Sequence, residues 1–439
     1  MGLVMAATDR AIRLGGVMPL SRPGFLEAGR HLKAGLELAV ADVNGLGGVG
    51  GRPLELLVRD TGAGPAEAMA IVDELHEDGV AAIAGEYHSV VARAIAARAT
   101  QLGLAFICSS AVLDSLTDEP SRWVARLAPA QSHCWGAYAE FLVRVGHRRV
   151  ALITQPDCYW STGARILRAA LGEAGVGVVS VDASATDAAD AAAQLAEIGG
   201  IAAAVLLVAY PEPAASLVRA FRASGALADM AIGDPAGRAE FSGWSQILGV
   251  DGLGVSFLRY LPERLDRAGE AIERRLTEVL GETPSFVAFE AYDAIGVVVA
   301  ALRAAGRERP ALAASFGELT VSGTRGQIRF TRVPGSASGS GPGRRSRSPP
   351  ESRRRDGGRS PSCASRRTGE PNSTRSAEPN CPLGVRIANW RRDPCRLWVR
   401  SGHQPSPRQC PLRLSKRTCA TWRCIRHSAV ICAATVEPM

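Results

Sequence analysis

The chain has 439 residues, ten cysteines and a net charge of +8, length enough for two or three domains that each bury a core. The charge is uneven: residues 335–439 hold 21 of the 51 Lys and Arg and 6 of the 43 Asp and Glu, a net +15, leaving −7 on residues 1–334. That balance excludes a uniformly basic, nucleic-acid-binding body, and with no run of about 20 apolar residues no membrane span is expected.

From Ile12 onward strand-like and helix-like segments alternate. IRLGGVMP predicts a strand, and AGRHLKAGLELAVADVN a helix with Leu32, Leu36, Ala39, Val40 and Val43 on one face. LELLVRD is the next strand, followed by a helix opened by Pro65 and closed by Gly79. AAIAG, a helix from Ser89, and the strands LAFICSS and WVARLAP complete a first series. A second series runs through SHCWGAYAEFLVRVG, RRVALITQP, STGARILRAALGEAG, VGVVSV, DAADAAAQLAEIGG, AAAVLLVAY, PAASLVRAFRASG and MAIGD. After DGLGVSFLRYLP come two helices, RAGEAIERRLTEVLG and PSFVAFEAYDAIGVVVAALRAAG, then a strand pair around VSGTRGQIRF. Continuous apolar strands between amphipathic helices predict an α/β protein of two doubly wound, parallel-sheet lobes.

The tail from residue 335 has another character. GRRSRSPPESRRRDGGRS has no apolar period and the composition of disorder. Lys33 and Lys416 are the sole lysines, and an arginine bias of that kind fits an out-of-frame reading of a GC-rich gene. Cys419, Cys424 and His427 match no strong zinc spacing, and the arginines, without interleaved aromatics, predict no specific nucleic-acid partner. Cys108, Cys134 and Cys158 lie in or near apolar segments and are expected to be buried thiols. MGLVMAATDRAIRLGG shows no basic start followed by an apolar run, so no export signal is visible.

Several chemistries are disfavoured. Gly45, Gly47 and Gly50 match GxGxxG but follow a helix and precede a strand, the reverse of the order a dinucleotide needs, so they predict a helix stop and turn. No phosphate loop, HExxH helix or GxSxG elbow occurs in the body. His88 and Ser89 are neighbours on one strand end, which does not make a base and nucleophile pair. Catalysis, cofactors and bound metals are therefore not expected.

Strand ends offer a binding site instead. In a parallel sheet ligands bind beyond the carboxyl ends of the strands. Ser89 stands where a helix N-cap belongs, which would leave free N–H groups and a positive dipole end facing a cleft; Tyr87 shares that strand end. The next one brings Ser109, Ser110 and Ala111, and the second series contributes Tyr159 with Trp160, Tyr210 and Asp234. Serines facing aromatics predict a pocket that closes on a small molecule.

VMPLSRPG, GLELAVADVNGLGGVGGRPLELLVRD, GEYHS, SSAVLDSLT and FEAYDAIGVVVAALRAAG, in this order, resemble the type I periplasmic binding proteins, with the leucine/isoleucine/valine-binding branch nearest. The resemblance covers residues 10–332. It implies two lobes joined by a three-strand hinge, residues 10–127 and 253–318 forming the first and 128–252 and 319–334 the second; residues 335–439 stand apart as the disordered basic tail read from composition. It implies an ABC transporter's solute-binding subunit, a small amino-acid-like or amide-like ligand, a membrane permease as partner and a periplasmic location. Cytosolic amide sensors resemble the same fold, so a cytoplasmic regulator is the alternative. Ser89 and the Ser109–Ala111 loop match the positions that hold a ligand carboxylate in the branched-chain binders, and Trp160 and Tyr210 match second-lobe aromatics. Val112 replaces the usual threonine, Ala28 a tyrosine, and the acid expected to hold an amino group falls at Pro235, with Asp234 only adjacent. The ligand therefore lacks an ammonium group or is held differently.

Overall fold

A computed structural model describes residues 11–118, 121–183 and 187–331, together with a short strand at Gly384–Ile387. The expectations for the rest of the tail, including Cys419, Cys424 and His427, lie outside the described residues.

The first series forms one parallel sheet. Its elements are β1 (Ile12–Met18), α1 (Leu26–Gly45), β2 (Leu54–Asp60), α2 (Pro65–Glu77), β3 (Ala82–Gly85), α3 (Ser89–Leu102), β4 (Ala105–Cys108) and β5 (Val124–Arg126). The strand order is β2-β1-β3-β4-β5. Every residue of β3 and β4 is buried, as expected of short apolar strands covered by helices on both faces. The Gly-rich segment after α1 is a turn, with Gly47, Gly48, Gly50 and Gly51 all at positive φ.

The chain then enters a second sheet through α4 (Gln131–Arg144), β6 (Arg149–Thr154), α5 (Cys158–Glu173), β7 (Gly177–Asp182), α6 (Ala188–Ile198), β8 (Ala203–Leu207), α7 (Pro211–Ala223), β9 (Ala231–Asp234), α8 (Ser242–Leu248) and β10 (Ser256–Phe257). This sheet is also parallel, in the order β10-β9-β8-β6-β7. α5 starts three residues before the predicted Ser161, because the Asp157 carboxylate accepts from the Trp160 N–H at 2.9 Å and caps the helix. α8 has no counterpart in the sequence reading. Cys108 and Cys134 are buried free thiols, but Cys158, expected to be buried, is exposed in the first turn of α5.

The chain returns through α9 (Arg267–Leu280) and α10 (Phe286–Ala305) to α11 (Arg309–Ser315) and the hairpin β11 (Thr320–Gly323) and β12 (Gly326–Thr331), on which β13 (Gly384–Ile387) adds a third, antiparallel strand. α10 lies directly on α1: a Cβ on Gly35 would stand 2.1 Å from the Ala288 carbonyl oxygen, so only glycine permits this approach. Fourteen α10 residues are buried, including Glu290 and Asp293. Both acids face the hairpin tip, where Asp293 accepts from the Thr324 N–H at 2.7 Å and Glu290 from Arg325 at 2.9 Å. Within the span 319–334, read from sequence as part of the second lobe, Thr324 and Arg325 bind a helix that packs on the first.

Candidate functional site

Each sheet has a place where its strand order reverses, and there the loops leaving two neighbouring strands diverge and open a crevice. In the first sheet it lies between β1 and β3, in the second between β6 and β8. The loops after these four strands, with the first turns of α3 and α5, bring residues 19–25, 86–89, 155–160 and 208–210 to one cavity of about 450 Å³.

The first-lobe wall is a tightly folded joint. Gly85 closes β3 at φ +126°, where a Cβ would meet the Val17 carbonyl oxygen at 2.2 Å. Glu86 follows at φ +70°, a conformation rare for residues other than glycine. The turn sends its carboxylate back to accept from the Tyr87 N–H at 2.9 Å, the His88 N–H at 2.7 Å and the Thr61 hydroxyl at 2.9 Å. Burial pushes the Glu86 carboxyl up to about 7, against the pull of those hydrogen bonds. His88, not Ser89, is the N-cap of α3. Its Nε2 accepts from the Phe25 N–H at 3.1 Å, fixing the loop after β1, and burial lowers the imidazole to about 4, so it is neutral at pH 7. Ser89 is instead the first helical residue, and its Oγ accepts from the Val112 and Leu113 N–H groups at 3.1 and 3.3 Å. With both lone pairs occupied, the Ser89 hydroxyl has only its proton left to offer.

The second-lobe wall is aromatic. Tyr159 and Trp160, in the first turn of α5, meet edge to face at 4.6 Å. Arg238 joins them, its guanidinium held between Trp160 at 4.7 Å and Trp244 at 4.2 Å. The guanidinium pairs with Asp234 at 2.8 Å and bonds the Val208 carbonyl. Both members of this pair are buried.

The lobes touch around the cavity. The Tyr210 hydroxyl donates to the Pro23 carbonyl at 2.7 Å, and Phe241 packs against Phe25 at 4.9 Å. Glu27 on α1 accepts from the Gly243 N–H at 3.0 Å and the Ser242 hydroxyl at 3.1 Å, at the start of α8. Glu27, His31 and Glu282 place one possible ligand atom each within 4.8 Å of one another. However, His31 Nδ1 accepts from the Ser285 N–H at 3.0 Å, so Nε2 carries the proton and points it at Glu282. That arrangement is a hydrogen-bonded clasp and leaves His31 no lone pair for an ion.

Of the residues singled out from sequence, Tyr87, Ser89, Ser110, Tyr159, Trp160 and Tyr210 line the cavity together. Ser109, Ala111 and Asp234 lie behind its wall: Ser109 donates its N–H to the Gly85 carbonyl, Ala111 is in the first-lobe core, and Asp234 is engaged by Arg238. Phe25, His88, Arg238, Tyr260 and Phe286 line the cavity and were not anticipated. For Arg238 a signal existed in the i, i+4 spacing of Asp234 and Arg238; for Phe25 and Phe286 none did.

The periplasmic binding protein family matches residues 11–340. A Leu/Ile/Val/Thr-binding protein of Salmonella typhimurium is 27% identical over 149 residues, 34% of this chain. The match spans 41% of that relative's length, about two fifths. Among solved structures, a leucine-binding protein from Thermotoga maritima superposes with a TM-score of 0.65 at 20% identity, over 73% of this chain and 91% of the other. A solute-binding protein of an ABC transporter from R. palustris, in complex with benzoate, gives 0.63 at 18% identity, over 73% and 89%. At these identities the structural likeness speaks for the fold, two parallel-sheet α/β lobes, and the family match places the chain: it belongs to the periplasmic binding protein family.

Proposed function

We propose that the chain is the substrate-binding component of an ABC-type uptake system, capturing a small organic solute between its lobes and presenting it, closed, to a membrane permease outside the cytoplasm. The observation that carries this reading is the cavity at the two facing switch points, where one wall offers unspent donors. The Ser89 hydroxyl proton and the N–H groups of Ser89, Val90 and Val91 have no acceptor among the described residues, and the helix dipole of α3 adds positive potential there. A ligand carboxylate or amide oxygen satisfies all of them. Ser110 extends this polar wall, while Trp160 and Tyr210 form the face that closes over the ligand. Solutes named for similar proteins, leucine and benzoate, share a carboxylate and a compact apolar body.

The contacts that span the cavity support a closing motion of the lobes, since each requires the lobes to meet. The test is a thermal-shift screen of the full chain against amino acids, amides and aromatic acids. A ligand at a hundred times its Kd stabilises the folded state by about 2.7 kcal/mol, visible as a raised midpoint. Silence across the whole panel would remove the solute-binding reading.

A further inference from the structure

We propose that the solute is an aromatic carboxylate without an ammonium group. This deepens the solute-binding reading and rests on it.

A buried ammonium left without a partner is costly, and a carboxylate is its strongest partner. The buried carboxylates around the cavity are engaged elsewhere, and none of them lines it. Glu86 spends its oxygens on Thr61, Tyr87 and His88. Asp234 holds Arg238 and the Ala236 N–H, Glu240 takes the Tyr260 N–H and faces Arg259, and Glu290 holds Arg325. Asp234 and Glu290 each keep one unpartnered oxygen, but neither residue lines the cavity. Asp157 does line it, as an exposed residue at the edge, with one oxygen engaged in capping α5.

Meanwhile the wall itself presents a guanidinium. Arg238 is 3% exposed and lies on the cavity with its Nε–H unpartnered. That N–H suits an anionic oxygen and offers no acceptor to an ammonium. The neutral His88 adds no charge beside it.

The body of the ligand follows from the rings. Phe25 and Tyr87 from one lobe and Tyr159, Trp160 and Tyr210 from the other line the cavity, with Tyr260 beside them. Aromatic pairs in offset or edge-to-face geometry contribute about 0.5–1.5 kcal/mol beyond area burial. A planar ring between these walls gains that term, and an aliphatic side chain does not. The Tyr87 and Tyr159 hydroxyls have no hydrogen-bond partner among the described residues, which suits a ring bearing a polar substituent.

Matched pairs isolate each claim. Kd values are measured by calorimetry on the full chain for 3-phenylpropanoate and L-phenylalanine, which differ only in the ammonium, and for 4-methylpentanoate, which lacks the ring. Binding of 3-phenylpropanoate at least tenfold tighter than either of the others is the expected result. L-phenylalanine binding as well as or better than 3-phenylpropanoate overturns the ammonium-free assignment while leaving solute binding intact. Preference for 4-methylpentanoate overturns the aromatic assignment alone. No heat with any of the three or with L-leucine overturns this inference and the solute-binding reading together.

Discussion

The two walls of the cavity are built on different principles. At the first-lobe joint nearly every polar group is tethered from within: Glu86, His88 and Ser89 each fix a neighbouring backbone segment, so the donors that face the cavity are held before any ligand arrives. The second-lobe wall presents rings around a single ion pair whose charges cancel locally. The first wall orients a ligand's polar end, and the second covers its apolar end. Recognition is thus split between a pre-organised lobe and a closing one, and each half can be broken separately.

The largest effect is expected in the second lobe. Removing one partner of a buried ion pair leaves the other charge uncompensated and costs about 3–5 kcal/mol. Arg238→Met should therefore destabilise the chain by about that amount in urea unfolding, with Trp160 and Trp244 fluorescence reporting the loss. A loss under about 1 kcal/mol would mean that the ion pair contributes little to the native state beyond the packing of its side chains.

Next comes the pH response of the first-lobe joint. Burial raises Glu86 to about 7, so between its unfolded value near 4.5 and about 7 the native state holds a proton the unfolded chain has lost, and stability falls as pH rises. His88 works the other way: with its folded value lowered to about 4, stability falls as pH drops below 6.5. Glu240 and Glu290, also raised to about 7 by burial, reinforce the alkaline limb. The melting temperature should thus decline from pH 5 to pH 8, and Glu86→Gln should make that decline shallower, by up to about 3 kcal/mol at pH 8. Parallel profiles for variant and parent would place the Glu86 proton elsewhere.

Ser89→Ala is expected to cost less in stability than in binding. Its Oγ accepts two N–H groups within the first lobe, so some stability is lost, but its proton serves only the ligand. Affinity should weaken by about 1–3 kcal/mol, the cost of a buried group left unpaired. Unchanged affinity, measured by titration with the ligand found in the screen, would remove Ser89 from the site.

The two walls also differ in how legible they were. The strands and helices follow from apolar runs such as AAIAG and AAAVLLVAY alternating with amphipathic segments, which is why two doubly wound, parallel-sheet lobes could be anticipated. The joint at Glu86–Ser89 was recognisable as a site but not as a mechanism. The roles of Glu86 and His88 depend on a positive φ and on a loop 63 residues away, and neither has a sequence signal. The second wall was partly misread. Asp234 stands next to the position of a ligand-holding acid, but Arg238, one helical turn on, neutralises it. The short α8, without room for an apolar period, hid the helix start that meets Glu27.

The smallest effect sharpens the comparison most, because it acts on closure while leaving both walls intact. Glu27 sits on α1 of the first lobe and accepts from Ser242 and Gly243 of the second, outside the cavity lining. Glu27→Gln keeps the shape and one acceptor oxygen but removes the charge that favours a helix N-terminus. A hydrogen bond that exists only in the closed form biases the open–closed equilibrium by its own net worth, here about 1 kcal/mol. Because apparent affinity scales with the closed population, the variant should bind roughly fivefold more weakly, with the change in the dissociation rate and none in the relative affinities of different ligands. Ser89→Ala, by contrast, should alter those relative affinities, penalising carboxylates most. If Glu27→Gln reordered ligand preference as Ser89→Ala does, closure and recognition would not be separable, and the division of labour between the two lobes would fail.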